Sequence, residues 1–413
     1  MILPEDFEKQ MLELLGEEEY KEFLRALDEP CPVSIRINPK KHVENAGNAG
    51  NVGNLSPVPW CGNGYYLAER PQFIFDPLLH AGAYYVQEAS SMYISDLLRK
   101  YGENGENGEN PAPLTVLDLC AAPGGKTTLL ISDLPENTVI VANEINHKRA
   151  WILHENVSKW VNGTSDDERV IVTNNAPKDF QRLGEEVFDL ILCDAPCSGE
   201  GMFRKDPKAI EEWSVANVKM CVERQREIVS DIWDSLVPGG LFIYSTCTYN
   251  RHEDEENAEW IATEMGAELL ETRKFMPHRD RGEGFFCAVL RKKGSRGVEG
   301  EFKGSSKGVQ GEFKGSPRGQ GFKSSRVQEF KGLRNLKVLP ITPHSSSQGP
   351  YCELSRDESL RYLRGEALRL PADTPRGEVT VTYEGLPLGK VKNIGTRANN
   401  LYPKEWRIWK QLS

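Results

Sequence analysis

The sequence predicts an α/β protein: a doubly wound, largely parallel sheet in the middle of the chain, with a smaller α+β unit on each side. Three observations predict it. Strand-like and helix-like segments alternate between residues 114 and 292, the pattern of a parallel sheet with crossover helices. The first of those strands, residues 114–119, is an apolar run, as a strand covered on both faces must be. Low-complexity segments interrupt the 413-residue chain, which is too long for one ordinary domain.

Taken in order, residues 1–42 suggest two helices and then a strand over 33–37, stopped by Asn38-Pro39. Residues 44–57 (ENAGNAGNVGNLSP) lack large apolar side chains and read as an expanded loop. Residues 60–100 are mixed and end in a helix from about 87 to 101. Residues 102–113 repeat the tripeptide GEN and again cannot hold a core. Strands follow at 114–119, 138–142, 170–173, 188–193 and 241–245. Helices are expected from Gly125, across Trp151, His154 and Val157, and over 207–236, where Pro238-Gly239-Gly240 turns the chain. The acidic run at 252–257 reads as a helix's first turn, favoured by the dipole. Residues 294–332 are Gly/Ser/Lys-rich and contain EFKG three times, as a tether would. The last part has a strand at 378–383 and a turn at Gly385. The expected division is 1–86, 87–292, a basic linker at 293–333, and 334–413.

Composition narrows the setting. No run of about 18 uncharged apolar residues exists, so no membrane span is expected, and the N-terminal stretch lacks the basic and apolar regions of a signal peptide. Nine irregularly spaced cysteines do not suit a secreted disulfide framework. Reduced thiols in a cytoplasm fit better. The net charge of −10 is segregated. Residues 291–337 hold thirteen Lys/Arg against four Asp/Glu, which leaves −19 on the rest. A polyanion could therefore meet a basic segment beside an acidic body.

The first strand of the alternating region runs into Asp118-Leu119-Cys120-Ala121-Ala122-Pro123-Gly124-Gly125-Lys126-Thr127. Small residues let a ligand approach the backbone, and a helix start offers free amides. A phosphate-binding P-loop needs Gly where Cys120 stands, and the G-x-G-x-x-G of dinucleotide folds is absent. A loop for a nucleoside without pyrophosphate remains. Glu144, ending the second strand, stands where an acid binds ribose hydroxyls.

Two cysteines fall at the carboxyl ends of neighbouring strands, in Asp194-Ala195-Pro196-Cys197 and Ser245-Thr246-Cys247. A lone cysteine is more often a small buried apolar residue than a nucleophile, but two of them with Asp194 at a ligand edge form a reactive set. Cys193 and Cys197 have zinc-like spacing, yet no second pair exists, so no metal is expected. Carbon 5 of cytosine is a poor nucleophile. A thiolate adding at carbon 6 converts the ring to an enamine that accepts a methyl group at carbon 5. A carboxyl group at ring nitrogen 3 stabilises the charge that builds there.

The motifs VLDLCAAPGGKTT, ILCDAPCSGEGMFRKDP and YSTCTYN together resemble the Sun-type RNA (cytosine-5) methyltransferases, and within them the bacterial enzymes of small-subunit (16S) ribosomal RNA. SIRINP, QEASSM and GLPLGKVKNIGTRANNLYP extend the resemblance over the chain. It implies a Rossmann-like S-adenosylmethionine-dependent methyltransferase sheet, a small N-terminal α+β domain and a C-terminal PUA-like RNA-binding domain. Cys247 would be the nucleophile and Cys197 would assist product release. Asp194 would contact the target cytosine and lie near the cofactor, with Lys126 beside the same base. Residues Cys120, Ala121, Ala122, Pro123, Gly124, Gly125 and Lys126 would wrap S-adenosylmethionine, and Glu144 would hold its ribose. The family's adenine-contacting Asp is replaced here by Ala176, with Asn175 as the substitute and weaker cofactor binding expected. The implied partner is RNA, 16S rRNA or the small ribosomal subunit, met by a cytoplasmic monomer. Arg204, Lys205, Lys390, Lys392, Arg397, Lys404 and Arg407, with Tyr402 and Trp406, are candidate RNA contacts, and Tyr249 is a base stacker or core. Competing readings are a non-catalytic RNA-binding or ribosome assembly factor, a tRNA cytosine-5 methyltransferase, and a DNA cytosine methyltransferase.

Overall fold

A computed structural model describes residues 1–41, 55–102, 114–294, 335–341 and 349–410. Most of the three low-complexity segments therefore lies outside the described residues. The chain opens with α1 (Glu5–Asp28), which is the two expected helical segments joined across a break in helical geometry at Gly16 (φ 75°). A four-stranded antiparallel sheet follows, from β1 (Val33–Ile37), β2 (Ser56–Val58), β3 (Cys61–Leu67) and, after the short α2 (Pro77–His80), β4 (Tyr84–Val86), ordered β2-β3-β1-β4. The helix expected from residue 87 begins later: a 3-10 turn at Ser90–Tyr93 precedes α3 (Ile94–Tyr101).

The central unit comprises β5 (Thr115–Asp118), α4 (Gly125–Asp133), β6 (Val139–Asn143), α5 (His147–Val161), β7 (Val170–Thr173), β8 (Phe188–Asp194), α6 (Pro207–Glu212), α7 (Val215–Ile232), β9 (Leu236–Thr246), α8 (Glu255–Glu264), β10 (Ala267–Phe275) and β11 (Phe285–Lys292). Its eight-stranded sheet is ordered β10-β11-β9-β8-β5-β6-β7-β12, where β12 is Val338–Leu339. Strands β9, β8, β5, β6 and β7 run parallel, and β11 and β12 pair antiparallel to their neighbours. Side chains alternate between faces with period two. Val116, Leu190 and Ile243 face the layer of α3, α4 and α5, while Leu117, Ile191 and Phe242 face α7 and α8.

Four sequence expectations change. The helix over 207–236 is two helices, because Ser214 is extended and its side chain caps Asn217 N. Pro238-Gly239-Gly240 is not a turn between helix and strand but a bulge within β9, with Gly239 at φ 81° and a register shift against β8. The antiparallel pair β10 and β11 adds two strands to the five expected within residues 114–292. β12, from the segment assigned to the last domain, completes the edge of the central sheet. Beyond it, β13 (Tyr351–Glu353), α9 (Arg356–Leu363), β14 (Gly377–Tyr383), β15 (Leu386–Asn393) and β16 (Ala398–Asn400) form a four-stranded sheet around Tyr362, Val381 and Val391. Among the described residues no helix is long and apolar enough to cross a membrane.

Candidate active site

The strand order reverses at β5, with β6 on one side and β8 on the other, so a crevice opens at their carboxyl ends. Asp118 closes β5 and is fully buried. Its Oδ2 accepts from Thr127 Oγ1 at 2.6 Å, while its Oδ1 is buried without a hydrogen-bond partner and Asp118 lines the crevice. Burial pushes its carboxyl up to about 7, against the pull of the Thr127 hydroxyl. Residues 120–123, Gly125, Lys126 and Asp194 line the same space, together with Tyr85 and Gln87 from β4 and its exit. Gly124 sits behind them as the N-cap of α4. Its φ of 116° and the nearness of Leu153 on α5 exclude a side chain. No side chain caps α4, so its first amides stay open to a ligand.

Other expected cofactor residues are engaged with protein. Glu144 is buried; its Oε1 accepts from Asn146 N at 2.8 Å and its Oε2 lies 3.4 Å from Arg149, which also donates to Ala122 O. This ties the acid to the cofactor loop. Cys120 contacts the Cys193 thiol, and that contact with burial holds its thiol well above the usual range. Asn175 does not supply a free group: its amide nitrogen donates to Lys337 O at 3.1 Å and its carbonyl accepts from Lys337 N at 2.9 Å. It mimics one more strand pair at the β7–β12 edge.

The reactive set converges. Cys197 Sγ and Cys247 Sγ are 3.1 Å apart, both half-buried. The Cys247 contact, with burial, keeps the Cys197 thiol well above the ordinary range. Lys126 Nζ lies 2.9 Å from Asp194 Oδ2, and Ser245 Oγ donates to Asp194 Oδ1 at 2.8 Å. Burial opposes the Lys126 charge, but Asp194 more than restores it and raises its pKa. Thr246 and Thr248, on either side of Cys247, both donate to Asp254, itself paired with Lys274 at 3.0 Å. A crevice with an orphaned acid, small-residue loop and uncapped helix fits a nucleoside carrying an amino acid; the Asp194–Lys126 pair lines it, and Cys197 follows Asp194 by three residues.

Several candidates fall away. Arg204 is buried, paired with Glu283 at 2.9 Å and donating to Ala26 O, so it is not a phosphate contact. Tyr249 is 1% exposed and packs edge-on to Phe23, which makes it core. Tyr402 is core too, and Trp406 lies tilted against His154 at the seam with α5. Sequence reading missed Asp118, Arg36, Glu200 and Glu253. Arg36, in SIRINP, is buried beneath α4, donating to Gln87, Thr128, Ser132 and Gly125 O. Glu253 lies in the acidic run read as a helix turn, yet it is fully buried. Only an unexplained Arg inside a strand hinted at the former.

A family model described as 16S rRNA methyltransferase RsmB/F matches residues 107–291, one for the N-terminal domain of 16S rRNA methyltransferase RsmF matches 3–89, and one for the methyltransferase RsmF PUA domain matches 351–408. The ribosomal RNA small subunit methyltransferase F of Enterobacter sp. (strain 638) is 30% identical over 476 aligned residues, covering 98% of this chain and 96% of that one. The protein of the same name from Pectobacterium atrosepticum is 35% identical over 319 residues, 71% of this chain and 63% of that relative. The crystal structure of a methyltransferase homolog protein from Pyrococcus horikoshii superposes with a TM-score of 0.58 at 27% identity, over 70% of this chain and 95% of that one. Fold, crevice and relatives together define an S-adenosylmethionine-dependent RNA methyltransferase. Within that class, the chain belongs to the ribosomal RNA small subunit methyltransferase F (RsmF) family.

Proposed function

We propose that the chain methylates carbon 5 of a cytosine in small-subunit ribosomal RNA through a covalent Cys247–cytosine adduct. One observation carries the reading: the loops after β8 and β9 bring the Cys197 and Cys247 thiols to 3.1 Å from each other, Cys197 standing three residues past Asp194, which pairs with Lys126 in the lining of the cofactor crevice. The target base has to leave its stack to enter it. The Cys247 thiolate bonds to ring carbon 6, and Asp194 shares a proton with nitrogen 3 as charge builds there. Lys126 holds the Asp194 carboxylate in position. S-adenosylmethionine supplies the methyl group as a sulfonium. Once carbon 5 is methylated, its proton leaves to a base and the carbon 6–sulfur bond breaks, returning the thiolate to Cys247. Cys197, in contact with that sulfur, assists this release.

The cofactor's residues are Asp118, 120–126 and Glu144, with the orphaned Asp118 oxygen suited to an ammonium group. Residues 1–86 and 334–413 are read as RNA-holding domains around a catalytic 87–292, in a cytoplasmic monomer. The relatives' names support 16S rRNA over tRNA. To test the reading, the Cys197→Ala and Cys247→Ala variants are incubated with S-adenosylmethionine and small-subunit RNA and run on denaturing gels. Cys197→Ala should trap a protein–RNA adduct, while Cys247→Ala forms none and transfers no methyl. Methylation by Cys247→Ala, or no adduct from Cys197→Ala on an RNA that the parent methylates, removes the mechanism. Transfer to matched DNA or tRNA instead would move the substrate.

A further inference from the structure

Two glutamates that no step above uses are fully buried between the cysteine loops. Each comes from one loop and holds the other. Glu200, three residues after Cys197, accepts from the backbone amides of Tyr249 and Asn250, at 2.7 and 2.9 Å, just downstream of Cys247. Glu253, six residues after Cys247, accepts from the Ser198 amide at 3.0 Å and from the Ser198 hydroxyl, immediately after Cys197. Asn250 joins the pair, donating to Glu200 at 3.0 Å and to Glu253 at 2.8 Å. Gln225 of α7 donates to both Glu253 and Pro196 O, at 2.7 and 3.0 Å, and Trp213 donates to Glu200 at 2.9 Å. The loops also touch directly, Gly201 N donating to Cys247 O at 2.9 Å.

Among the described residues no Lys or Arg forms an ion pair with either carboxylate. Their oxygens are satisfied by amide, hydroxyl, carboxamide and indole donors. A buried acid held this way fixes backbone geometry, since each lost acceptor leaves a buried amide unpaired. We infer that Glu200 and Glu253 are positioning residues that divide the reaction: Glu200 sets the Cys247 loop for attack, and Glu253 sets the Cys197 loop for release. The inference rests on the proposed roles of the two cysteines. It follows from which loop each carboxylate grips rather than from which loop it belongs to.

The test uses the full chain, small-subunit RNA and S-adenosylmethionine, with Glu200→Gln, Glu253→Gln and, outside both loops, Gln225→Met. Three quantities are read: the single-turnover rate of methyl transfer, the steady-state rate, and the protein–RNA adduct on a denaturing gel. A misplacement of about 1 Å can cost on the order of a hundredfold in rate, so effects of about tenfold or more are expected. Glu253→Gln should lower the steady-state rate at least about tenfold more than the single-turnover rate and accumulate adduct, as a weaker form of Cys197→Ala. Glu200→Gln should lower the single-turnover rate itself, without accumulating adduct. In the Glu200→Gln/Cys197→Ala double variant, adduct should form more slowly than in Cys197→Ala alone. Should Glu253→Gln lose its fold, seen as lost cofactor binding in calorimetry, Gln225→Met carries the same expectation of accumulated adduct. Equal loss of both rates in every glutamate and glutamine variant, with no adduct while Cys197→Ala traps one, overturns the inference. Absence of adduct from Cys197→Ala itself strikes the proposed mechanism instead.

Discussion

Asp118 shows how one side chain can carry both a cost and a use. Its buried carboxyl has a pKa pushed up to about 7, far above the 3.8 of an exposed Asp. The folded chain therefore keeps a proton that the unfolded chain releases between those values. Without cofactor, the Asp118 contribution to stability is greatest at low pH and is lost as pH rises from about 4 through about 7. Asp254, also near 7, adds a slope of the same sign. Asp118→Asn should remove its share, so thermal melts from about pH 5 to 8 should be flatter than the parent's, while calorimetry should show weakened cofactor binding. An unchanged melting profile would contradict the first expectation. At position 176 the expected effect is a gain. Asn175 is committed to Lys337 and Ala176 offers no carboxylate. Ala176→Asp should therefore tighten cofactor binding about tenfold, the scale of one charge-assisted hydrogen bond. Calorimetry showing no gain would count against that reading.

Elements meet at the crevice because a few buried polar residues weld them. Arg36 joins β1 to the first turn of α4, its guanidinium also over the Trp160 ring at 4.5 Å. Burial lowers its pKa to about 10, which still leaves it charged at neutral pH. Arg36→Ala would take the donor from two buried and two part-buried acceptors and should cost on the order of 3 kcal/mol, read as a lower melting temperature with weaker cofactor binding. The same logic explains what was legible. The strands over 33–37 and 170–173 match residue for residue, and the cofactor loop and both cysteine motifs stand where the local pattern put them. Such features depend on contiguous residues. The bulge in β9 and the break at Ser214 were misread because the same local signals, Pro-Gly-Gly and an N-cap serine, serve both turns and irregularities within elements.

At the scale of the molecule, the C-terminal sheet is seated on both other units. Asn162 donates to Pro387 O at 3.1 Å, Arg356 donates to Phe75 O at 3.3 Å, and Trp406 lies over Lys159 and beside His154. Trp406→Ala should loosen this seat and raise KM for RNA several-fold. The single-turnover rate at saturating RNA should stay close to the parent's, because the cysteine loops lie elsewhere. A fall in that rate with KM unchanged would place Trp406 in the chemistry. From the residues in order came the sheet, the small-residue loop, the paired cysteines and the family they resemble, since these are written in short contiguous patterns. Tertiary structure alone decided that Asn175 is spent on Lys337, that Arg204 is an internal ion pair, and that Glu200 and Glu253 cross-brace the reactive loops. Those partners stand roughly 50 to 160 residues apart along the chain. A hydrogen bond depends on distance in space, which no local pattern encodes.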